Sequence, residues 1–369
     1  MLLALLYDIL SWFLSIPDFL FLLLNSLPGG PKFFPNGYGN PKVYFDRRNS
    51  VLKSLADGSY DFEQKKAELV ELEKGDGIVT FAGQFQSPLA NHLPKESQTC
   101  YFHLIEPTGG DDGNERNKVY IVMFPATGEM GGSTRRAMAK KLAAQHGWST
   151  IILTAPFYGR RKPPSQKLFF IDSVSDILLQ SQAIIEEGML LTNWILKRNQ
   201  DALVCHTGFS YGAAMAACAS AMAVAGGLDG RRIACAPYLG SSSPNVLADG
   251  VLESAIDWNA LTQNPKESYA ITRKKLYDVF DETQLSVLAK PAAQEGKITL
   301  TRSISFSNDG FILPTYSKAL ESQLAQVTSS PAKTRWYPGG HAFGALLRPY
   351  LQKKLVEETV QELILARIQ

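Results

Sequence analysis

One serine lies in a five-residue pattern that is typical of a catalytic nucleophile. The segment from Gly208 to Gly212 reads G-F-S-Y-G, follows an apolar run at residues 202–207 and opens an alanine-rich run. In such an elbow the chain turns sharply from strand to helix, and the flanking glycines leave room for the turn. The serine then stands at the carboxyl edge of the sheet, beside the backbone donors of a helix N-terminus. We predict that Ser210 is a nucleophile; a serine that only caps the helix is the alternative.

A serine hydroxyl needs a base to accept its proton and a carboxylate to orient that base. In sites built on this elbow the chain order is serine, acid, histidine. His341 is the only one of five histidines that follows Ser210, and His206, in the strand before the elbow, is expected to be a core or near-site histidine. Asp309 follows a predicted strand at residues 298–306, from whose end a carboxylate reaches the next loop. We therefore predict His341 as the base and Asp309 as the orienting acid.

Two backbone donors are predicted for the oxyanion that forms when the serine attacks. One typically comes from the residue after the nucleophile and one from a loop after an earlier strand. Here these donors are the N–H groups of Tyr211 and of Thr127 or Gly128, in the loop after the apolar run at residues 119–124. The choice between Thr127 and Gly128 stays open. The alternative is that this turn only connects the strand to the next helix.

Three consecutive cations follow aromatic residues at the end of another predicted strand. Arg160, Arg161 and Lys162 lie in the sequence PFYGRRKP at residues 156–163. Because arginine matches the geometry of phosphate, this loop is a candidate for holding an anionic head group. The alternative is an exposed basic loop without a ligand.

The chain around these residues alternates short β-branched or aliphatic runs with longer helical ones. This alternation is typical of βαβ units on a mostly parallel sheet. We predict an α/β-hydrolase fold over residues 75–369, with helices on both faces of the sheet. A helical cap insertion is expected at about residues 240–295, with its acidic side chains in solvent. Strands are predicted at residues 77–81, 99–105, 119–124, 150–154, 203–207, 233–236, 298–306 and 333–337, and helices at 133–145, 172–198, 211–224 and 346–368.

The first 27 residues are almost wholly apolar and are interrupted chiefly by Asp8, Pro17 and Asp18. Two aspartates and a central proline make a poor spanning helix, which needs about 20 apolar residues. An anchor on an intracellular membrane, of the endoplasmic reticulum or the mitochondrion, is the favoured interpretation. A secretory signal peptide is the alternative, although the positive region and a clear cleavage site are missing. A further alternative is an amphipathic helix packed on the domain with its aspartates on the wet face.

Residues 28–74 connect this segment to the predicted catalytic domain. The part up to residue 50 is rich in Gly, Pro, Asn and aromatic residues, which indicates a linker. A charged stretch at about residues 62–74 predicts a helix. Residues 1–74 are thus expected to form an apolar N-terminal helix, a linker and a second helix ahead of the catalytic domain.

The composition excludes some partners and favours a reducing compartment. Thirty-seven Lys and Arg against 35 Asp and Glu give a net charge of +2, so no global positive field is available to hold nucleic acid. The four cysteines have no metal-ligand spacing, and we predict reduced core thiols. The chain has no Asn-x-Ser/Thr glycosylation sequence, which disfavours a secreted protein. We expect neither a cofactor nor a metal.

Taken together, these motifs resemble the α/β-hydrolase domain-containing protein 18 family, from about Ile78 to the C-terminus. The resemblance implies a serine hydrolase that acts on lipid-like esters, with membrane or mitochondrial association in some members. The serine, aspartate and histidine of the family correspond to Ser210, Asp309 and His341. The sequence departs from the family pattern at Tyr211 and in its N-terminal anchor. The segments that carry the resemblance are GQFQSPL at 83–89, ATG at 126–128, PFYGRRKP at 156–163, GFSYG at 208–212, Asp309 with Pro314, and GGH at 339–341.

The leading hypothesis is a membrane-associated serine hydrolase that cleaves a lipid or phospholipid acyl ester through an acyl-enzyme on Ser210. An acyltransferase of the same mechanism, with an alcohol or lipid in place of water, is the second hypothesis. A pseudoenzyme that uses the fold to bind lipid is the third, and it predicts a broken triad. None of the three triad positions is missing from this chain.

Overall fold

A mixed β-sheet forms the centre of the fold. The chain is seen in a computed structural model that describes residues 10–18, 29–62, 67–108, 118–264, 266–288 and 297–368. Within these residues the sheet has nine strands. They are β1 (Glu68–Gly75), β2 (Ile78–Gln86), β3 (Thr99–Pro107), β4 (Val119–Phe124), β5 (Ser149–Leu153), β6 (Leu203–Phe209), β7 (Ile233–Tyr238), β8 (Leu300–Phe306) and β9 (Lys333–Tyr337).

The strand order is β1-β2-β3-β5-β4-β6-β7-β8-β9. β1, β2 and β3 pair antiparallel, and β3 is also antiparallel to β5. From β5 onwards every pair is parallel. The carboxyl ends of these parallel strands meet at one edge, where ligands of open α/β sheets bind. The predicted mostly parallel sheet is confirmed.

Helices cover both faces of the sheet, as predicted. They are α1 (Pro41–Ala56), α2 (Ser133–His146), α3 (Val174–Arg198), α4 (Tyr211–Ala225), α5 (Trp258–Leu261), α6 (Tyr269–Asp281), α7 (Leu285–Leu288), α8 (Pro314–Val327) and α9 (His341–Ile368). α2 and α9 share one core with the sheet, and α1, α3, α4 and α8 share the other. Alternate residues of β6 enter the two cores, because successive side chains of a strand point to opposite faces.

The predicted core thiols and core histidine are confirmed. Each cysteine is buried and none is in a disulfide. His206 is buried, with Thr192 Oγ1 at 2.7 Å from Nε2 and Ser220 Oγ at 2.8 Å from Nδ1. Burial lowers the pKa of His206 to about 3, so this imidazole is a neutral structural group.

The helix predicted at residues 62–74 is wrong, because residues 68–75 form the edge strand β1. β1 and β2 join through a two-residue turn in which Asp76 has φ 52° and Gly77 has φ 73°, and Gly75 pairs with Ile78. Asp-Gly is favoured in such hairpins because both central residues need positive φ. That dipeptide is the sequence signal for the hairpin, and the charges of β1 suit an exposed edge strand.

The segment before β1 also contributes to the domain. α1 begins at Pro41, so the linker predicted up to residue 50 ends earlier; proline suits this position because its missing N–H would have no helical partner. Tyr44, Val51 and Leu55 are buried and α1 packs on α3 and α4. Residues 41–56 and 68–75 of the predicted N-terminal part thus share the core and the sheet of the rest of the chain.

Short helices lie between β7 and β8, where the cap insertion is predicted. They include α5, α6, α7 and 3-10 turns at residues 244–248 and 250–255. Asp249, expected in solvent, instead accepts hydrogen bonds from Tyr277, Tyr316 and Arg273. The role of the insertion as a cap stays a prediction. No helix among the described residues has both the length and the apolar character to cross a bilayer.

Candidate active site

Ser210 is the single residue between β6 and α4. Its backbone has φ 57° and ψ −121°, a conformation that L residues rarely adopt. Its N–H donates to the carbonyl oxygen of Tyr238 at 3.0 Å, and its own carbonyl accepts from the N–H of Ala213 at 2.9 Å. The strand, the strained turn and the helix follow one another as the elbow motif predicts.

Both glycines of the motif are required by close approaches of the backbone. A Cβ on Gly208 would overlap the backbone of Gly212. A Cβ on Gly212 would lie 2.7 Å from the carbonyl oxygens of Phe124 and Pro125. The start of α4 therefore packs directly on the end of β4, which brings the loop at residues 125–129 next to Ser210.

Asp309 lies in the loop after β8, and His341 follows the loop after β9 as the first residue of α9. Because these strands are parallel neighbours, their loops leave the sheet at the same edge, and a hydrogen bond of 2.8 Å joins His341 Nδ1 to Asp309 Oδ2. The other carboxylate oxygen accepts the N–H groups of Phe311 at 2.9 Å and Ile312 at 2.7 Å. Both side chains are buried. The carboxylate thus orients one ring nitrogen, and Nε2 is the atom that would serve as base.

Two opposing effects act on the pKa of His341. Burial disfavours the charged imidazolium and lowers the pKa, but the charge and hydrogen bond of Asp309 favour it, with a smaller contribution from Asp18. The carboxylates outweigh burial, so the pKa of His341 is raised above its usual value. A proton taken from a nucleophile is therefore stabilised on this imidazole.

Aromatic rings hold the imidazole beside the elbow. The ring centroid of His341 lies 5.1 Å from that of Phe209 and 5.0 Å from that of Phe311. Phe209 directly precedes Ser210, so the predicted base and nucleophile lie in one region. No hydrogen bond joins the Ser210 hydroxyl to His341 in the described part of the chain. Catalytic hydrogen bonds commonly tighten only when substrate binds, and the pairing of these two residues stays a prediction.

The predicted oxyanion donors lie on the two segments that meet at the elbow. Tyr211 is the first residue of α4, so its N–H has no helical acceptor, and its hydroxyl shares a hydrogen bond of 2.9 Å with Ser181. Thr127 is exposed, and Gly128 has φ 73°. The roles of these N–H groups as oxyanion donors stay predictions.

An ion pair between buried Arg135 and half-buried Glu129, which the sequence did not reveal, supports the loop of Thr127 and Gly128. Glu129 Oε1 lies 2.7 Å from Arg135 Nε. Arg135 also donates to the carbonyl oxygens of Met123 at 2.7 Å and Leu153 at 2.9 Å. Burial raises the pKa of Glu129, but the arginines beside it more than compensate and lower it. The pair ties the loop to the ends of β4 and β5.

The head-group role predicted for Arg161 is wrong. Its side chain is fully buried and forms a two-point ion pair with Glu187 of α3, at 2.7 and 2.8 Å. It also donates to the carbonyl oxygens of Thr154 and Ser97. Sequence position alone could not separate this cation from its neighbours. The exposed Arg160 lies over the ring of Tyr101, 3.7 Å from its centroid, and a head-group contact of Arg160 or Lys162 stays a prediction.

Residues 10–18 pack on the domain, as the amphipathic-helix alternative expects, and they lie over the loop that precedes His341. They are helical at 10–13 and 16–18. Asp18, expected on a wet face, is buried, and its carboxylate accepts the backbone N–H of His341 at 2.7 Å. The last helix accordingly begins at His341 and not at Leu346 as predicted. The rest of the predicted anchor, residues 1–9 and 19–27, lies outside the described residues.

Comparison with known proteins gives one family match. The sequence profile described as alpha/beta hydrolase domain containing 18 matches residues 31–305 of the chain. The matched range includes Ser210 and the loop at residues 125–129. Asp309 and His341 lie beyond its end, so their placement rests on the structure.

Solved structures of esterases are similar to this chain. An acetyl xylan esterase from Thermoanaerobacterium sp. shares 15% identity over 88% of this chain and 96% of its own, with a TM-score of 0.55. An acetyl xylan esterase from Paenibacillus sp. shares 13% identity over 86% of this chain and 95% of its own, with a TM-score of 0.53. At these identities the likeness concerns the fold.

Asp309→Asn tests the contact that orients the imidazole. We expect kcat/KM on a soluble aryl ester to fall about 10,000-fold, because the amide no longer favours the correct tautomer or the imidazolium. In the wild type, activity should fall as pH falls through the raised pKa of His341, since a protonated imidazole cannot act as base. The acid limb of the variant should lie at lower pH. Asp46→Asn, on an exposed pair with Lys42, is the control, and equal profiles for wild type and Asp309→Asn would contradict the assignment.

Arg161→Ala tests the structural role of the buried ion pair. Removing this side chain leaves the carboxylate of Glu187 buried without its partner, so we expect a loss of about 3–5 kcal/mol in the free energy of unfolding. Urea denaturation followed by circular dichroism gives the measurement. Arg160→Ala, which removes an exposed cation from the same loop, should cost less than about 1 kcal/mol. Equal midpoints for the two variants would refute this account.

Proposed function

The chain belongs to the alpha/beta hydrolase domain containing 18 family, and we propose that it is a serine hydrolase that cleaves a carboxylic ester. The observation that carries the proposal is the 2.8 Å hydrogen bond between His341 and Asp309 beside the strained elbow of Ser210. A capping serine would need neither an oriented imidazole nor a positive φ. The esterase fold of the similar structures is consistent with this chemistry.

In the proposed reaction Ser210 Oγ attacks the ester carbonyl carbon while its proton passes to His341 Nε2. The carbonyl oxygen becomes an oxyanion, which accepts hydrogen bonds from the N–H of Tyr211 and from the loop of Thr127 and Gly128. As the intermediate collapses, the imidazolium returns the proton to the leaving alcohol and the acyl group stays on Ser210. Water, deprotonated by the same imidazole, then releases the carboxylic acid and restores the hydroxyl.

We propose a lipid acyl ester on an intracellular membrane as the substrate. Support comes from the segment over the His341 loop, where Leu10 is 50%, Trp12 56% and Phe13 57% exposed. Neighbouring exposed apolar side chains are typical of interfacial helices, whose apolar face enters the head-group boundary. Residues 1–27 continue this apolar character in sequence. A membrane bound here would lie next to the active site, where its esters could enter.

Labelling by a fluorophosphonate probe tests the serine hydrolase proposal. The serine oxygen displaces fluoride from the probe and becomes phosphonylated, so we expect the wild type to be labelled and Ser210→Ala to remain unlabelled. Ser243→Ala, which removes a buried serine that caps a 3-10 turn, is the matched control and should label like the wild type. The labelled peptide is identified by mass spectrometry. An unlabelled wild type, or a label that persists in Ser210→Ala, would exclude the nucleophile.

Vesicle flotation tests the membrane surface. We expect Trp12→Ser combined with Phe13→Ser to weaken binding to vesicles of phosphatidylcholine and phosphatidylglycerol by about 100-fold or more, since each buried aromatic side chain contributes roughly 1.5–3 kcal/mol. Leu365→Ser removes an apolar side chain of similar exposure, 61%, near the far end of α9 and should bind normally. Equal binding of both variants would rule out this surface.

A further inference from the structure

The carboxylate of Asp18 contacts both loops of the proposed triad. Oδ2 accepts the N–H of Gly310 at 2.9 Å and the N–H of His341 at 2.7 Å. Oδ1 accepts the N–H of Ala342 at 2.8 Å. Gly310 follows Asp309 in the chain, so one side chain joins the residue after the acid to the backbone of the base.

This carboxylate also caps the last helix. α9 begins at His341, and the first N–H groups of a helix have no internal acceptor. A negative charge at this end is favoured by the helix dipole. The capping aspartate of an ordinary helix directly precedes it in the chain, whereas Asp18 lies more than 300 residues away in sequence. Its position therefore depends wholly on the docking of residues 10–18.

Two glycines leave the space that Asp18 occupies. A Cβ on Gly340 would lie 2.5 Å from Asp18 Oδ2 and 2.9 Å from the Cα of Ser15. A Cβ on Gly310 would lie 3.2 Å from the Cβ of Asp18. The glycines next to the acid and the base thus let the N-terminal segment approach the backbone of both loops.

A second side chain of the same segment holds the neighbouring backbone. The hydroxyl of Ser11 accepts the N–H of Gly339 at 2.9 Å and shares a hydrogen bond of 2.7 Å with Ser307. The carbonyl of Leu14 accepts the N–H of Gly340 at 3.3 Å. Polar contacts thus cover the inner face of residues 10–18, while Trp12 and Phe13 are exposed.

We propose that Asp18 is a positioning residue of the active site. Through its three N–H contacts it fixes the backbone at the start of α9 relative to the loop of Asp309. This inference rests on the proposed function. Residues 10–18 then help to position the catalytic residues. Asp18 acts through Asp309 and His341 and does not contact the ester.

The charge of Asp18 has a second consequence for the base. Burial raises the pKa of Asp18, the three N–H contacts act against that rise, and the nearby Asp309 adds to it. Asp18 and Asp309 are the carboxylates whose charges raise the pKa of His341. Removing the charge of Asp18 should therefore make the imidazolium less stable, whereas a merely structural side chain would leave the pKa of His341 unchanged.

Asp18→Asn tests the proposal with little change in volume. The amide keeps one acceptor oxygen and turns an NH2 group towards N–H donors, so at least one contact is lost. We expect kcat on a soluble aryl ester to fall about 10- to 100-fold through misplacement of the base, with KM changed less than about threefold. The acid limb of the pH profile should move to lower pH. Asp46→Asn is the matched control and should behave like the wild type.

The pKa of His341, followed by NMR on the full-length protein, gives a readout that needs no turnover. A lower pKa in Asp18→Asn supports the positioning role even if the wild type fails to react with a fluorophosphonate, a result that would defeat only the proposed function. An unchanged pKa together with wild-type labelling would overturn the role of Asp18 and leave the proposed function standing.

Ser11→Ala tests the positioning role of residues 10–18 if thermal unfolding shows that Asp18→Asn does not fold. This milder variant removes only the hydroxyl contacts with Gly339 and Ser307, so we expect a roughly 3- to 10-fold slower reaction with the fluorophosphonate. Labelling at the wild-type rate would overturn the claim that residues 10–18 position the catalytic loops.

Discussion

The hydrogen bond between Asp309 and His341 is the contact on which the site depends, and it requires several distant segments to be held together. Asp309 lies in the irregular loop after β8, and His341 is the first residue of α9, directly after the loop that follows β9. Parallel pairing brings the loops to one edge, but it does not set the distance between two side chains. Backbone contacts to each loop must supply that accuracy.

Two carboxylates, those of Asp309 and Asp18, make these contacts with backbone N–H groups. Asp309 accepts two N–H groups of its own loop, which hold its carboxylate in one orientation. Asp18 then joins that loop to the start of α9. The imidazole is packed between Phe209 and Phe311, so its ring plane is limited by the elbow and by the acid loop. The strained conformation of Ser210 is tolerated because backbone hydrogen bonds to Tyr238 and Ala213 hold the turn in place.

The features that could be predicted from the sequence are those with a local signal and those that follow from chain order. The elbow needs glycines at 208 and 212 next to the serine, and the strand before it is a continuous apolar run. His341 was identifiable because no other histidine follows Ser210. A role that is set by a distant partner could not be predicted from the sequence. Arg161 forms an ion pair with Glu187 of α3, and the charged residues 68–75 pair with β2 at the edge of the sheet.

The sequence by itself determined the class of fold, the elbow and the identities of Ser210, Asp309 and His341 as candidates, because hydrophobic period, glycine placement and chain order are local properties. Only the tertiary structure decided that Arg161 is buried, that residues 10–18 contact the backbone next to Asp309 and His341, and that α9 starts at His341. Each of these features depends on a contact between segments that are far apart in the chain. The spacing of residues in a single sequence does not predict such contacts. The energy of burying a charge is set by its partner, and the partner is known only once the chain has folded.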